Sequence, residues 1–291
     1  MLLNSSPRPL FKTKRGLFCA LKTETMGETK LYKYLDVKGG LLMLKYSTLQ
    51  FTNATQLNDP FDCHPGLFDY SNVPNDKAKI WGKQIVEDVE KNHAERLRDD
   101  AWICSLSKVH DSLLMWSYYC GHKGVCIGLD REKIKLILSN TMNGIYLGAR
   151  ELEVQYKEII EKPDSFRGDD FSKFEYQLST KAKAWEHEKE VRFLLIDPTP
   201  APRENPTHPS FVIMALPDNE KYNNVEEVDW REVRAYKIIS GDCFDSLYLG
   251  VNIEKEDKEE IIKNARKRNP NIKIYQMKPD PEAFKLKEEE I

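Results

Sequence analysis

Two rhythms of apolar and polar residues run along this chain. Period-two alternation predicts a short first strand in "KLYKYLD" (30–36), a strand from Leu49 to Thr52, and another in "KGVCIGLD", where Val125, Ile127 and Leu129 alternate. "AWICSLS" (101–107) reads as a buried strand, and "RELEVQYKEI", "FVIMALP", "VRAYKIIS", "SLYLGV" and "NIKIYQM" as later strands. Helical spacing of Ile80, Gln84, Ile85, Val89 and His93 predicts one helix over 75–100, capped by Asn75 or Asp76. "VKGGLLMLKYST" offers a helix weakened by its two glycines. Asp111 or Ser112 caps a short helix running to Tyr119 and stopped by Gly121. Helices follow in "REKIKLILSN", over 169–188, and in "EKEDKEEIIKNARKRN". The last has an acidic start and a basic end that complement the helix dipole, so its charges read as solvated faces.

Strands and helices interleave irregularly, and no G-x-G-x-x-G opens a helix after a strand. The expected fold class is therefore α+β, with no Rossmann or P-loop nucleotide site. A span of 291 residues with 40% hydrophobic content can bury a sizeable core. The expected organisation is an N-terminal extension, 1–29, followed by a single α+β catalytic-type domain, 30–291. A formal net charge of −3 gives no global attraction to nucleic acid or anionic membrane. The six cysteines include no C-x-x-C pair and most lie beside apolar residues, which predicts buried free thiols and a cytoplasmic protein. No run approaches a membrane span, and the first residues lack the apolar core of a secretion signal.

One stretch, "WEHEKEVRFLLID", sets charges into an apolar run. On a strand, Glu188, Glu190 and Arg192 share one face, while Val191, Phe193 and Leu195 face a core. The rise per residue sets the two carboxylates about 7 Å apart. The face is either an exposed ion-pair ladder or the wall of a cleft. In "LNDPFDCH", Asn58 and Asp59 either bind Mg²⁺ or position a substrate hydroxyl, or they form an Asx turn, with Phe61 anchoring the loop in the core. Adjacent Cys63 and His64 make a poor chelate, and no second pair is spaced for tetrahedral metal ligation. Lys181 and Trp185, four apart on the expected helix, share a face. Lys181 then either supplies positive charge to a diphosphate or lies on the surface, and Trp185 reads as core. His122 and Lys123 read as a solvated turn or as phosphate contacts.

"LYKY", "LQFTNATQLNDPFDC", "LLMWSYYCGHKGVCIGLD", "KAKAWEHEKEVRFLL" and "LYLGVNIEKEDKEEIIKNA…IKIYQM", in this order over roughly residues 30–284, together resemble a bacterial family of unknown function catalogued as 2971. Its members commonly carry His where this chain has Tyr118. The order of "YKY", "FTNAT", "MWSYYCGHKGV" and Glu188-Lys189-Glu190 is also similar to that of ADP-ribosyltransferases, the kind seen in poly-ADP-ribose polymerases and DNA- or RNA-modifying toxins. That resemblance implies a mixed, mostly antiparallel split-sheet core with flanking helices, and NAD as substrate. It sets Lys33 or Tyr32 at the first-strand position, Thr52 on the second strand, Tyr119 or Tyr118 against nicotinamide, and Glu190 or Glu188 as the catalytic carboxylate. Asn58, Asp59, Trp116, Lys181 and Arg192 complete the expected NAD contacts.

The chemistry is coherent. Cleaving the nicotinamide–ribose bond builds positive charge on the ribose, which a nearby carboxylate stabilises, and an aromatic ring gives the nicotinamide a platform. The expected acceptor is a macromolecule, nucleic acid or protein, in a toxin or phage-defence setting, with a regulatory or antitoxin partner. Two alternatives stand beside this. One is a metal-dependent nuclease or phosphodiesterase using Asp59, Asp62, Glu188 and Glu190. The other is a non-catalytic sensor that binds a nucleotide or a phage protein in the same cleft.

Overall fold

The computed structural model describes residues 29–139, 150–196 and 234–291. The expected strand "FVIMALP" and the N-terminal extension, apart from Thr29, lie outside them. The first half of the chain forms β1 (Lys30–Leu35), α1 (Val37–Tyr46), β2 (Thr48–Asn53), α2 (Asn75–Trp81), α3 (Lys83–Asp100), β3 (Ala101–Ser107), α4 (Leu113–Cys120), β4 (Val125–Asp130) and α5 (Arg131–Ser139). Then come β5 (Arg150–Glu153), β6 (Gln155–Lys157), α6 (Asp170–Ser179), β7 (Thr180–Ala182) and β8 (Glu190–Ile196). The chain closes with β9 (Arg234–Ile238), β10 (Phe244–Leu249), α7 (Lys255–Arg268), β11 (Lys273–Pro279) and β12 (Leu286–Glu290).

The fold is α+β, built on a mixed, mostly antiparallel open sheet in the order β12-β11-β10-β4-β1-β3-β2-β9, with β8 on β3 and β5 on β8. Among its described strands only β10 and β11 run parallel. The branching at β3 positions the site. β8 pairs with the whole of β3, from Ala101↔Ile196 to Ser107↔Glu190. A strand has two edges, so β1 and β2 must share the other one. β1 takes its end, at Tyr32↔Ser107, and β2 takes its start, at Thr52↔Ile103 and Asn53↔Trp102. The sheet splits between them, over Cys104–Leu106.

Alternation assigns the two faces. Val125, Ile127 and Leu129 of β4, with Val191, Phe193 and Leu195 of β8, lie in the largest apolar cluster beside Met43 and Leu44 of α1, Ile134 and Leu138 of α5 and Ile261 of α7. The opposite face carries Tyr34, Cys126 and Tyr248 under Met115 and Trp116 of α4. Local signals explain the helices. Asp36 caps α1 by accepting from the Gly39 N–H at 2.7 Å, so α1 forms despite its glycines. Ser112 caps α4, and Gly121, at φ 54°, ends it in the left-handed region.

The structure departs from expectation at several points. The helix expected over 75–100 is two, because Gly82 at φ 84° breaks it and resets its phase. α3 therefore packs through Val86 and Ala94 and leaves Ile85 and Val89 in solvent, while α2 leaves Ile80 74% exposed. α6 stops at Ser179, short of the expected 188. The chain then pairs as β7 with β6 and turns through a 3-10 segment, Lys183–Glu188. Lys181 thus lies on a strand and Trp185 on the turn, half-buried and outside the core. Phe61 is exposed and anchors nothing.

Candidate active site

A pocket of about 260 Å³ opens at the split. It brings together Tyr32 and Lys33 from β1, Thr52 from β2, Asn58 from the following loop, Tyr119 from α4, and Lys181, Glu188 and Glu190. Lys33 leaves β1 on the side of Leu31, and its ammonium reaches the split to donate to the Ser105 carbonyl at 2.8 Å. That carbonyl has no strand partner on this edge among the described residues.

One wall of the pocket is a buried ionic cluster. Glu188 and Glu190 are each 4% exposed, and Asp62 is 1% exposed. The Lys181 ammonium donates to Glu188 Oε2 at 2.5 Å and to Glu190 Oε2 at 3.1 Å, and stands 3.8 Å from Asp62. The Tyr119 hydroxyl donates to Glu188 Oε1 at 2.5 Å. The Glu190 N–H donates to the Tyr156 hydroxyl at 2.8 Å. Three carboxylates thus meet two cationic side chains, Lys181 and Arg192, leaving the cluster one formal negative charge in excess.

Burial alone would raise the Glu190 pKa. The Arg192 and Lys181 charges outweigh it and hold the carboxyl well below the usual carboxylate range. Burial pulls the Lys181 ammonium down, but Glu190 and Glu188 push it further up. Burial, reinforced by Glu188, raises the Tyr119 phenol, which therefore keeps its proton as a hydrogen-bond donor.

Glu188 and Glu190 reach one pocket by a route the alternation did not foresee. Glu188 ends the 3-10 turn, and Lys189 is left-handed at φ 46°. Only Glu190 and Arg192 share the β8 face. The turn is tied to β3, with Ser107 Oγ donating to the Glu188 carbonyl at 2.7 Å and the Lys108 N–H to the Lys189 carbonyl at 3.0 Å.

Four expected residues stand away from the pocket. Trp116 is fully buried against Tyr34 and donates its indole N–H to the His110 carbonyl at 2.7 Å. Tyr118 points outward and meets His187 edge-on. Asp59 forms an Asx turn, accepting from the Phe61 N–H at 2.9 Å. Arg192 lies behind Glu190, so its charge acts through its neighbours and not on a bound molecule. Lys123 pairs with Glu254, as a solvated turn would.

Asp62 is the residue the NAD assignment omitted. It lines the pocket and grips Arg192 through both oxygens, at 2.8 and 2.6 Å. A signal for it existed: an arginine set in an apolar strand needs a buried counter-charge, and "NDPFDC" supplies one. No group of three or more His, Cys, Asp and Glu among the described residues has the arrangement of a metal site. The Lys181 ammonium takes the position among the three carboxylates that a cation would need.

No curated protein and no solved structure is significantly similar to the chain. Among the described residues, no helix is long and apolar enough to cross a membrane. A model of the protein family of unknown function DUF2971 matches residues 115–193, from α4 through most of β8, a span that holds Tyr119, Lys181, Glu188, Glu190 and Arg192.

Proposed function

We propose that the chain is an NAD-consuming enzyme of the ADP-ribosyltransferase type. In this account the pocket takes the nicotinamide–ribose end of NAD and transfers ADP-ribose to a macromolecule, nucleic acid or protein. The observation that carries the proposal is the convergence of Glu188, Glu190, Tyr119, Thr52 and Lys33 on one pocket at the sheet split.

The electrostatics favour this substrate. A cluster with a carboxylate in excess suits a cationic pyridinium ring and a ribose on which positive charge develops. Lys33, tethered at the β1 wall, offers the pocket's other charge to oxygen atoms of the substrate. The pocket is small beside the several hundred Å³ usual for whole-ligand sites, so it fits one end of the dinucleotide.

The carboxylates divide the work. Glu190 is held by Arg192 and Lys181 and acts as fixed negative charge. Glu188, held by Tyr119 and Lys181 on a turn, is the group freer to exchange a partner for a ribose hydroxyl. Incubation with NAD labelled in the adenosine half tests the proposal. Nicotinamide release with label on nucleic acid or protein is the expected result. Thermal stabilisation by NAD without release would replace the enzyme with a sensor.

A further inference from the structure

Arg192 is the largest polar side chain buried in the described structure, at 0% exposure, and it does not line the pocket. All five of its N–H groups find acceptors. Nε donates to Glu190 Oε1 at 2.9 Å. Nη2 donates to Glu190 Oε2 at 3.1 Å and to Asp62 Oδ2 at 2.6 Å. Nη1 donates to Asp62 Oδ1 and to the Leu178 carbonyl, each at 2.8 Å, with Cys63 Sγ also at 3.4 Å. One planar fork therefore spans two carboxylates, one on β8 and one on the loop after β2.

That loop is fixed at the same point. The Asp62 N–H donates to the Asp59 carbonyl at 3.1 Å, and Cys63 is left-handed at φ 56°. Four residues before Asp62, Asn58 reaches the pocket. The guanidinium thus sets both the plane of the Glu190 carboxylate and the seat of the loop that presents Asn58. A lysine has the charge but not the fork.

We infer that Arg192, clamped by Asp62, is a positioning residue that fixes Glu190 and ties the Asn58 loop to it. The catalytic part of this inference rests on the proposed NAD reaction; the geometric part does not. Glu190 is faced by Lys181 on β7, Tyr156 on β6, Cys104 on β3, Asp62 and Cys63 on the loop, and Glu188 on the turn. Lys33 and Tyr119 share its pocket. Of these, only Lys181 joins Arg192 in donating to its carboxylate from a cationic group.

Three variants test the inference: Arg192→Lys, Arg192→Gln and Asp62→Asn, each checked for folding by its thermal melt. Arg192→Lys keeps the charge and loses the fork. It should lower kcat for nicotinamide release about 100-fold, the usual cost of a misplacement near 1 Å, with KM for NAD little changed and the acid limb of the pH profile in place. Arg192→Gln should also move that limb to higher pH, because a cation opposing protonation of Glu190 is gone. Asp62→Asn should give a smaller kcat loss in the same direction. A merely structural role would scale the rate with the folded fraction and leave the shape of the pH profile alone.

Wild-type kcat in folded Arg192→Lys overturns the inference, as does a loss that follows the folded fraction. If Arg192→Gln does not fold, the kcat–KM split in the other two variants decides. If the wild-type protein releases no nicotinamide, the NAD proposal fails by itself. The positioning role is then judged by carbon-13 NMR of glutamate-labelled protein, with Glu190→Gln assigning the signal. An upward-shifted Glu190 titration or a displaced Glu190 signal in these variants supports the role, and an unmoved signal refutes it.

Discussion

Helix α7 and the segment Glu188–Arg192 carry comparable densities of charge and handle them in opposite ways. α7, "KEDKEEIIKNARKR", turns its charges to solvent and buries only Ile261 and Ala265. Its Lys255–Glu259 pair is 4.0 Å apart with both side chains largely exposed, an arrangement that contributes little. Glu188, Glu190 and Arg192 are buried, and each is matched to an opposite charge, Lys181 for the two glutamates and Asp62 for Arg192. Breaking a buried pair is costly because the remaining charge is stranded. The difference shows that charge density alone does not report exposure. What separates the regions is whether the apolar pattern lets each charge turn outward. A 3.6-residue period does so for α7, whereas "VRFLL" commits both faces of β8 to the interior.

The comparison predicts a large asymmetry in stability. Arg192→Ala should destabilise the fold by about 3–5 kcal/mol, because Asp62 and Glu190 lose their shared partner. Lys255→Ala should leave the urea midpoint within error. Equal effects on the two midpoints would erase the distinction.

A second prediction follows from Glu190. Its folded pKa is depressed, so its contribution is fully present above the ordinary glutamate value of about 4.3 and is lost as pH falls below that toward the folded value. Stability should fall steeply below about pH 4, and Glu190→Gln should take up about one proton fewer on unfolding there. Parallel stability–pH curves for the two proteins would contradict this.

The smallest effect concerns the turn. Lys189 is left-handed, which costs a residue bearing a Cβ about 1–2 kcal/mol. Lys189→Gly should recover about 1 kcal/mol of that as a higher melting temperature.

Much of the frame was legible in the chain. Alternation in "KLYKYLD" and "KGVCIGLD", the Ser112 cap with Gly121, and the polar, dipole-matched α7 all formed where local physics put them. The errors arose where a tertiary or left-handed conformation overrode a local period. Gly82 and Lys189 both interrupt patterns that read as continuous, and neither kink has a periodicity of its own. α6 ends early because residues 180–182 gain a strand partner in β6, a pairing invisible from the segment alone. For the candidate site, Tyr119, Lys33, Thr52 and the two glutamates converge, although Glu188 arrives from a turn. The role of Lys181 was not legible, since it depends on a place in β7 and not on the expected helix, while Arg192 announced a buried counter-charge without marking Asp62, 130 residues earlier, as its source.

The most direct measurement compares nicotinamide release from NAD by the wild-type protein and by Glu190→Gln, with folding of both verified by circular dichroism. The account predicts turnover by the wild-type protein and a rate lower by about 100- to 1,000-fold in the variant, the scale of losing one preorganised electrostatic group. Equal rates from the two folded proteins, or no release from the wild-type protein with any nucleic-acid or protein acceptor supplied, would contradict it.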